Sequence, residues 1–446
     1  MSYKTMLKAL FVALIVVSLG TGGVLAYDIA AIVEDTTASG KFDVYHWWTA
    51  GGEREAIDAA IEVFERRYPN LSVVSNAVPG GAGGAMVMKV QVLVVTGNSP
   101  ESFQAHPGLE IEPYYDADML FDLTPLWEYA GLAGRILPSI AQFAEFEGQY
   151  LLVPIGIHKN NVIWYNMHMF KEYGIEVPEE PLTWESFIAL CEELKAKLPE
   201  GKYPLDLGDR RGWPATHAFE TIMLGTDPQI YEDFINGKAT EEQLELVLER
   251  FKEFLSYVAP DHSARLWYEA AGRVAAGDYA MYLQGSWMQA YFESLGWEYG
   301  VDYGVLTAPG THGYFGVSID GFVVPKGSKS VENGLRWAYM VSDPEVQAAF
   351  SVAKRSISPY VDTPWDIYDP LTLQFCKELN AEDTIVYPSF THGTALPWMA
   401  TTDLHSRISD FATTSNPDVK RYARLISQSL KEAGVKGEWR IVKQGE

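Results

Sequence analysis

Four short clusters bring aromatic rings and hydrogen-bonding side chains together. They are His46-Trp47-Trp48 followed by Glu53, Gln104-Ala105-His106, His158-Lys159-Asn160-Asn161, and Phe390-Thr391-His392. Trp267 and Trp287 flank the apolar segment 279–283, and Asp320 precedes Gly321 in another apolar stretch. This mixture has a chemical meaning. Sugar hydroxyls donate and accept at once, so carboxylates, amides, imidazoles and ammonium groups hold them in dense networks. The apolar faces of a pyranose ring lie against Trp or Tyr, which add contact area at low entropic cost. Most pockets set few polar groups on an apolar lining. A site rich in both suits carbohydrate.

Each feature has a plainer reading. If 42–48 is a strand, alternation sends one of Trp47 and Trp48 inward and the other out, and either can be core. His46, His217, His262, His312 and His405 have no supporting pattern and read as surface or packing residues. The glycine run 80–84 lacks GxxxxGK[ST] and GxGxxG spacing, so it reads as a loop rather than a phosphate cradle. His106 and His158 lack the HxxxH, HExxH or Cys/His company of a metal site, and no metal or other cofactor is expected. No GxSxG is present. A hydrolase would need a carboxylate pair, for which Glu53 and Asp320 are the candidates.

These clusters sit at strand ends. Strand 42–48, an amphipathic helix 53–68 with Ile57, Ala60, Ile61 and Phe64 on one face, and strand 71–78 form a β-α-β unit, which predicts a parallel or mixed sheet. A helix is predicted over 85–95, strands at 102–104 and 162–165, and a hairpin over 142–154 turning at Gly148. Residues 166–300 are mostly helical, with helices starting at Thr183, at 241–257 and at 266–276, and a strand at 279–283. Strands at 300–309 and 319–325, a helix at 331–341 and a last helix after Pro417 complete the pattern. Residues 27–40 read as a tether. In open α/β sheets, ligands bind beyond the carboxyl ends of strands.

The chain opens on a basic stretch (Lys4, Lys8), an apolar run 9–19 and small residues at 24–26. That is the pattern of a secretory signal peptide over 1–26, with an uncleaved anchor as the alternative. The run is shorter than the roughly 20 residues of a membrane span. Removing 1–26 takes out two lysines and no acid, leaving a formal charge of about −27. So negative a surface repels nucleic acid and anionic membranes, and a neutral soluble ligand fits better. A mature chain this long implies two lobes. Cys191 shares a helix face with Phe187, Leu190 and Leu194, so a buried thiol is expected rather than a bridge to Cys376.

Several segments, in one order, resemble the extracellular solute-binding proteins of ABC sugar importers, the group of maltose-binding protein, and most of all its glucose/mannose-binding members. They are YHWWTAGGE at 45–53, SFQAHPGLE at 102–110, VPIGIHKNNVIWYN at 153–166 and LWYEAAGRVAAGDYAMYLQGSW at 266–287. SIDGFVVPKGS at 318–328, AKRSIS at 353–358 and FTHGTALP at 390–397 follow. The resemblance covers the whole mature chain. It implies an α/β, two-lobed periplasmic binding protein fold with the ligand in the cleft, lobe 1 being 27–155 plus 320–362 and lobe 2 being 156–319 plus 363–446. It assigns Trp48 and Glu53, Gln104 and His106, Lys159 or Asn160, the ring platforms Trp267 and Trp287, and the late contacts Asp320, Lys354 and His392. It further implies a monomeric, non-enzymatic importer subunit outside the cytoplasmic membrane, which delivers glucose or mannose to a membrane permease. An oligosaccharide binder, a ligand presenter to a chemoreceptor and an exported hydrolase are the competing readings. Two departures stand out: the segment 209–213 breaks the expected pattern, which leaves ligand length open, and residue 159 is Lys where Arg is expected.

Overall fold

The computed structural model describes residues 27–79, 84–435, 439 and 441–443. The predicted signal peptide and most of the glycine run 80–84 lie outside them. Among the described residues no helix is long and apolar enough to cross a membrane.

The chain opens with the β-α-β unit. Strands β1 (Gly40–His46) and β2 (Leu71–Ala77) pair in parallel, and β3 (Ser102–Ala105) joins β1 on its other side, also parallel. The helix Gly52–Arg67 connects β1 and β2 and buries Ala56, Ile57, Ala60, Val63 and Phe64 at helical spacing. Glu53 and Glu55 stand in its first turn and Arg66 and Arg67 in its last, each matching the helix dipole. The short strands β4 (Glu145–Phe146) and β5 (Gln149–Tyr150) form the predicted hairpin. Its turn residues Glu147 and Gly148 both have positive φ, as a tight two-residue hairpin turn requires.

Next come β6 (Val153–Lys159), β7 (Val162–Asn166), β8 (Tyr203–Asp206), β9 (Tyr279–Leu283), β10 (Tyr303–Thr307), β11 (Tyr314–Val323), β12 (Ile385–Pro388) and β13 (Val442–Lys443). The larger sheet has the order β13-β12-β11-β3-β1-β2, with β6 paired to β11; the smaller runs β10-β7-β9-β8. β6 is buried along its whole length and β11 along nearly all of it. β11 pairs β12 near its start, β3 near its end and β6 antiparallel along the middle, with a register shift between Asp320 and Gly321.

Two buried cores result. One runs from Ile29 to Val162 and returns with Phe315 to Leu379. The other gathers residues from Ile163 to Val258, from Ala280 to Ala308 and from Tyr387 to Leu430. Trp164, Trp213, Trp267, Val274, Tyr282, Trp287, Phe292 and Tyr303 are among the residues that interleave with the second core in sequence but pack into the first. The helix Pro370–Leu379 also packs into the first core, through Leu371, Phe375, Cys376 and Leu379, although the expected boundary at 362/363 would set it in the other lobe.

Three expectations are corrected. Residues 27–40 are no tether: Asp28 caps a helix over Ile29–Glu34, accepting from the Ala31 N–H at 3.0 Å, and Ile29 and Val33 are buried one turn apart. β1 ends at His46, so strand alternation never reaches the two tryptophans, and both Trp47 and Trp48 are buried. The helices Pro344–Lys354, Pro370–Leu379 and Trp398–Thr413 went unpredicted. The first two start at Asp-Pro, where the Asp side chain caps the first free N–H groups and Pro fits the first helical turn. Cys191 and Cys376 are free, buried thiols, as the helix-face pattern of Cys191 predicted.

The helix Trp213–Thr226 is held at its far end by a backbone contact. A Cβ on Gly225 would lie 2.0 Å from the Pro309 carbonyl oxygen. Gly225→Ala should therefore cost about 1–3 kcal/mol of stability from overpacking. Denaturant unfolding would show it; an unchanged midpoint would mean that helix and turn do not meet.

Candidate functional site

Twelve residues converge on a cavity of about 40 Å³. The first core supplies Trp47 and Trp48, which follow β1, and Glu53 from the first turn of the next helix. It also supplies His106 after β3, His158 in β6, Ser318 and Asp320 in β11, and Lys354 in the last turn of Pro344–Lys354. From the other side come Trp213 and Trp267, each the first residue of a helix, Trp287 after β9, and His392 in the turn after β12. Strand and helix ends thus place nearly every group, as open α/β sheets do.

The rings make one connected wall. Trp287 lies 6.1 Å from Trp213, 5.4 Å from His392 and 5.6 Å from His158 between ring centres. On the opposite side Trp47 lies 4.7 Å from His106. Trp48 packs deeper, against Phe350 and Phe322, with the Lys354 ammonium 5.9 Å from its ring centre.

The polar groups are oriented before any ligand arrives. Lys354 Nζ donates to Glu53 Oε1 at 2.9 Å. Asp320 Oδ1 accepts from Gln104 Nε2 at 2.7 Å, and Gln104 Oε1 accepts from the Trp47 N–H at 3.0 Å. His106 Nδ1 meets Glu110 Oε2 at 2.7 Å, while Glu110 Oε1 accepts from the His106 N–H. A carboxylate held on one oxygen by a neutral amide keeps acceptor capacity on the other.

Of the residues expected at the site, Trp48, Glu53, His106, Trp267, Trp287, Asp320, Lys354 and His392 line the cavity. Gln104, Lys159 and Asn160 do not. Gln104 spends both ends of its amide inside the protein. Lys159 points the other way, its Nζ donating to Glu378 Oε2 at 2.5 Å and lying near the rings of Phe315 and Phe375. Asn160 Oδ1 accepts from Ser318 Oγ at 2.9 Å and so steadies a cavity residue from behind. Strand geometry sets the place of Lys159: β6 runs to 159, so His158 and Lys159 face opposite sides, and only His158 enters the cavity. The predicted hairpin stopped at Pro154 and hid that alternation. Ser318 was also missed, though it stands two residues before Asp320 on the same strand face. Trp213 was noticed only as part of a departure.

His217, read as a packing residue, stands directly behind the wall, 5.6 Å from Trp287 and 5.7 Å from His392. With Glu220 and His392 it forms a grouping close enough to hold a metal ion. Yet Glu220 already accepts from Tyr231 Oη, the Phe390 N–H, Ser389 Oγ and the Thr391 N–H. Those four donors use its acceptor directions, and their effect is to fix the turn that carries His392.

Burial sets the histidine charges. It pushes His217 down to about 3 and His46 down to about 4, the Arg54 charge adding to the latter. His392 is held well below its ordinary value by burial and the neighbouring imidazoles. Burial would also favour neutral His106, but Glu110, with help from Asp320, outweighs it and raises His106. His46 and His217 are neutral when folded and titrate near 6.5 when unfolded, so their contribution is complete above pH ~6.5 and is lost as pH falls toward 4. His106 acts oppositely, its contribution present at low pH and lost as pH rises through its raised value. The melting temperature should fall between pH 6.5 and 4, and His217→Gln should flatten that fall. An unchanged acid slope in the variant would show that His217 is not buried neutral.

The model of the family described as bacterial extracellular solute-binding protein matches residues 50–348. A Pyrococcus horikoshii protein named an uncharacterized ABC transporter extracellular-binding protein is 37% identical over 439 residues, covering 97% of each chain. Among solved structures, the bacterial solute receptor AcbH, with its exclusive substrate preference for β-D-galactopyranose, superposes with a TM-score of 0.73 at 18% identity, covering 89% of this chain and 98% of its own. A chitin oligosaccharide binding protein superposes with a TM-score of 0.75 at 17% identity, covering 89% and 99%. Those two likenesses concern the two-lobed fold. The long family match and the near full-length relative go further: this chain belongs to the bacterial extracellular solute-binding protein family.

Proposed function

We propose that this chain is the substrate-binding subunit of an ABC sugar importer. Outside the cytoplasmic membrane it captures one neutral hexose, glucose or mannose, in this cavity and passes it to a membrane permease. The observation that carries the reading is the composition of the wall. Five tryptophans meet Glu53, Asp320, Lys354, His106 and His392 around one small space, brought there by widely separated segments of the chain. Tryptophan faces suit the apolar faces of a pyranose, and the fixed carboxylates and cations suit its hydroxyls.

The cavity of about 40 Å³ holds a few waters as it stands. Entry of a sugar ring requires the two walls to part, and β6 and β11, the paired strands that lead from the larger sheet to the smaller, are the elements about which they would turn. Binding free energy would then favour the closed arrangement. The protein acts as a monomer in this reading.

A longer saccharide is the second reading, and one observation favours it. A compartment of about 470 Å³ adjoins the cavity and shares Trp213 as a wall. The hydrolase reading is weaker, because Glu53 is engaged by Lys354 and Asp320 by Gln104, which suits fixed acceptors more than proton transfer.

Calorimetric titration of refolded, ligand-free protein against glucose, mannose, galactose, maltose and cellobiose tests the reading. A hexose should bind at micromolar concentration or tighter, and a folded protein that binds no sugar would end it. Trp267→Ala or Trp287→Ala should weaken hexose binding by about 1–3 kcal/mol. Asp320→Ala should cost at least as much, since it leaves sugar hydroxyls without an acceptor. Lys159→Met should instead lower stability by about 2 kcal/mol by stranding Glu378, and leave affinity unchanged. A loss of affinity there would restore Lys159 to the site.

A further inference from the structure

We infer that the compartment beyond Trp213 recognises an anionic group, so that the preferred ligand is a hexose joined to an acidic unit. This rests on the sugar reading in its second, longer-ligand form, and replaces a neutral second unit with an acidic one. The compartment, about 470 Å³, has Arg210, Arg211, Trp213 and Trp398 in its lining, with Ser406 and Asp410. Arg210 and Arg211 are exposed, and among the described residues neither side chain has an ion-pair or hydrogen-bond partner. Other arginines are engaged: Arg54 by Asp58, Arg265 by Asp206 and Asp261, Arg336 by Asp35 and Arg355 by Glu293.

The loop bearing the pair is fixed. The Arg210 N–H donates to the Arg265 carbonyl at 2.8 Å, and the Gly212 N–H to the Asp209 carbonyl at 3.1 Å. Gly212 has φ +80° and packs so closely on the His405 carbonyl that a Cβ would lie 2.9 Å from its oxygen. The helix Trp213–Thr226 begins at once, and its positive end adds to the two guanidinium charges. Two carboxylates stand nearby. Asp410 accepts from Tyr422 Oη at 2.5 Å, and Asp209 is buried, accepting from Ser409 Oγ and the Ala215 N–H.

Guanidinium groups match carboxylate and phosphate in a two-pronged geometry that a neutral hydroxyl cannot fill. Trp213 and Trp398 offer faces for a second ring. The negative charge of the whole chain does not oppose this strongly, because exposed charges beyond about 8 Å are screened at physiological ionic strength.

The test is calorimetry of the full mature protein with glucose, cellobiose, a disaccharide of glucuronic acid linked to glucose, and glucose 6-phosphate, at low and high salt. The glucuronic disaccharide should bind about tenfold or more tightly than cellobiose, since charge-assisted bidentate pairs are strong. That advantage should shrink with salt, and in the Arg210→Gln/Arg211→Gln double variant the ratio should approach one. The same advantage for glucose 6-phosphate over glucose, in place of the disaccharide, would assign the anion as phosphate rather than uronate. Neutral sugars binding with no acidic preference would overturn this inference alone, as would a ratio unchanged in the double variant. Failure of every sugar would overturn both readings.

Discussion

The antiparallel pairing of β6 with β11 is the constraint on which the site depends. Both strands are buried, their apolar side chains belong to the first core, and they lead from the larger sheet to the neighbouring strands β7 and β10 of the smaller one. Their register shift falls between Asp320 and Gly321. An irregularity of this kind re-aims a side chain while the strand continues. Gly321 is required there for space, since a Cβ would lie 2.2 Å from Leu152 Cδ2. Asp320 is thereby presented to the cavity by the most rigid part of the molecule, and Gln104 of the neighbouring strand fixes its rotamer. Ser318, on the same face, is fixed by Asn160 from the end of β6. Residues that fail to touch the cavity still determine where its acceptors point.

A second constraint is charge in a dry space. An unpaired ion buried this deeply would be costly, and each one here has a partner. Glu53 meets Lys354, and His106 meets Glu110. Both pairs lie within one core, and so does the Asp320–Gln104 bond. The other side offers mainly tryptophans and a His392 kept neutral. The division has a consequence for opening. If the walls part, ring contact is lost with little directional cost, and an ion pair that joins the two sides, Arg355 Nε with Glu293 Oε2 at 2.6 Å, is only partly buried. The buried charges at the cavity keep their partners as the two halves separate.

This arrangement explains what the sequence could and could not show. The helix Gly52–Arg67, the capped helix after Thr183 and the strand Tyr279–Leu283 follow from local spacing and were predictable. Trp267 and Trp287 were placed by their position at the edges of such elements and by family resemblance. That Lys159 points away from the cavity was not legible, because which face of β6 it occupies depends on where that strand ends, and the strand is paired with β11, more than a hundred residues away. Trp47 and Trp48 escape alternation for a similar reason, since β1 stops one residue before them. His217 lay beyond reach altogether. Nothing near it in sequence announces that a turn at Ser389–His392, tied down by Glu220, will press against it. The Asp-Pro starts of Pro344–Lys354 and Pro370–Leu379, in contrast, were readable signals, and the first of those helices carries Lys354 into the site.

Trp213 links these threads. It is the first residue of its helix, fixed by Gly212 on one side and by the Gly225–Pro309 contact at the far end. One ring therefore serves as wall to both the inner cavity and the outer compartment. A ligand unit on either side would meet the same rigid surface, so any shift of Trp213 that widens one space must alter the other. Cores packed this densely move between discrete arrangements rather than deforming smoothly. Ligand length and hinge position are then not independent properties, because both are expressed through where one indole ring can stand.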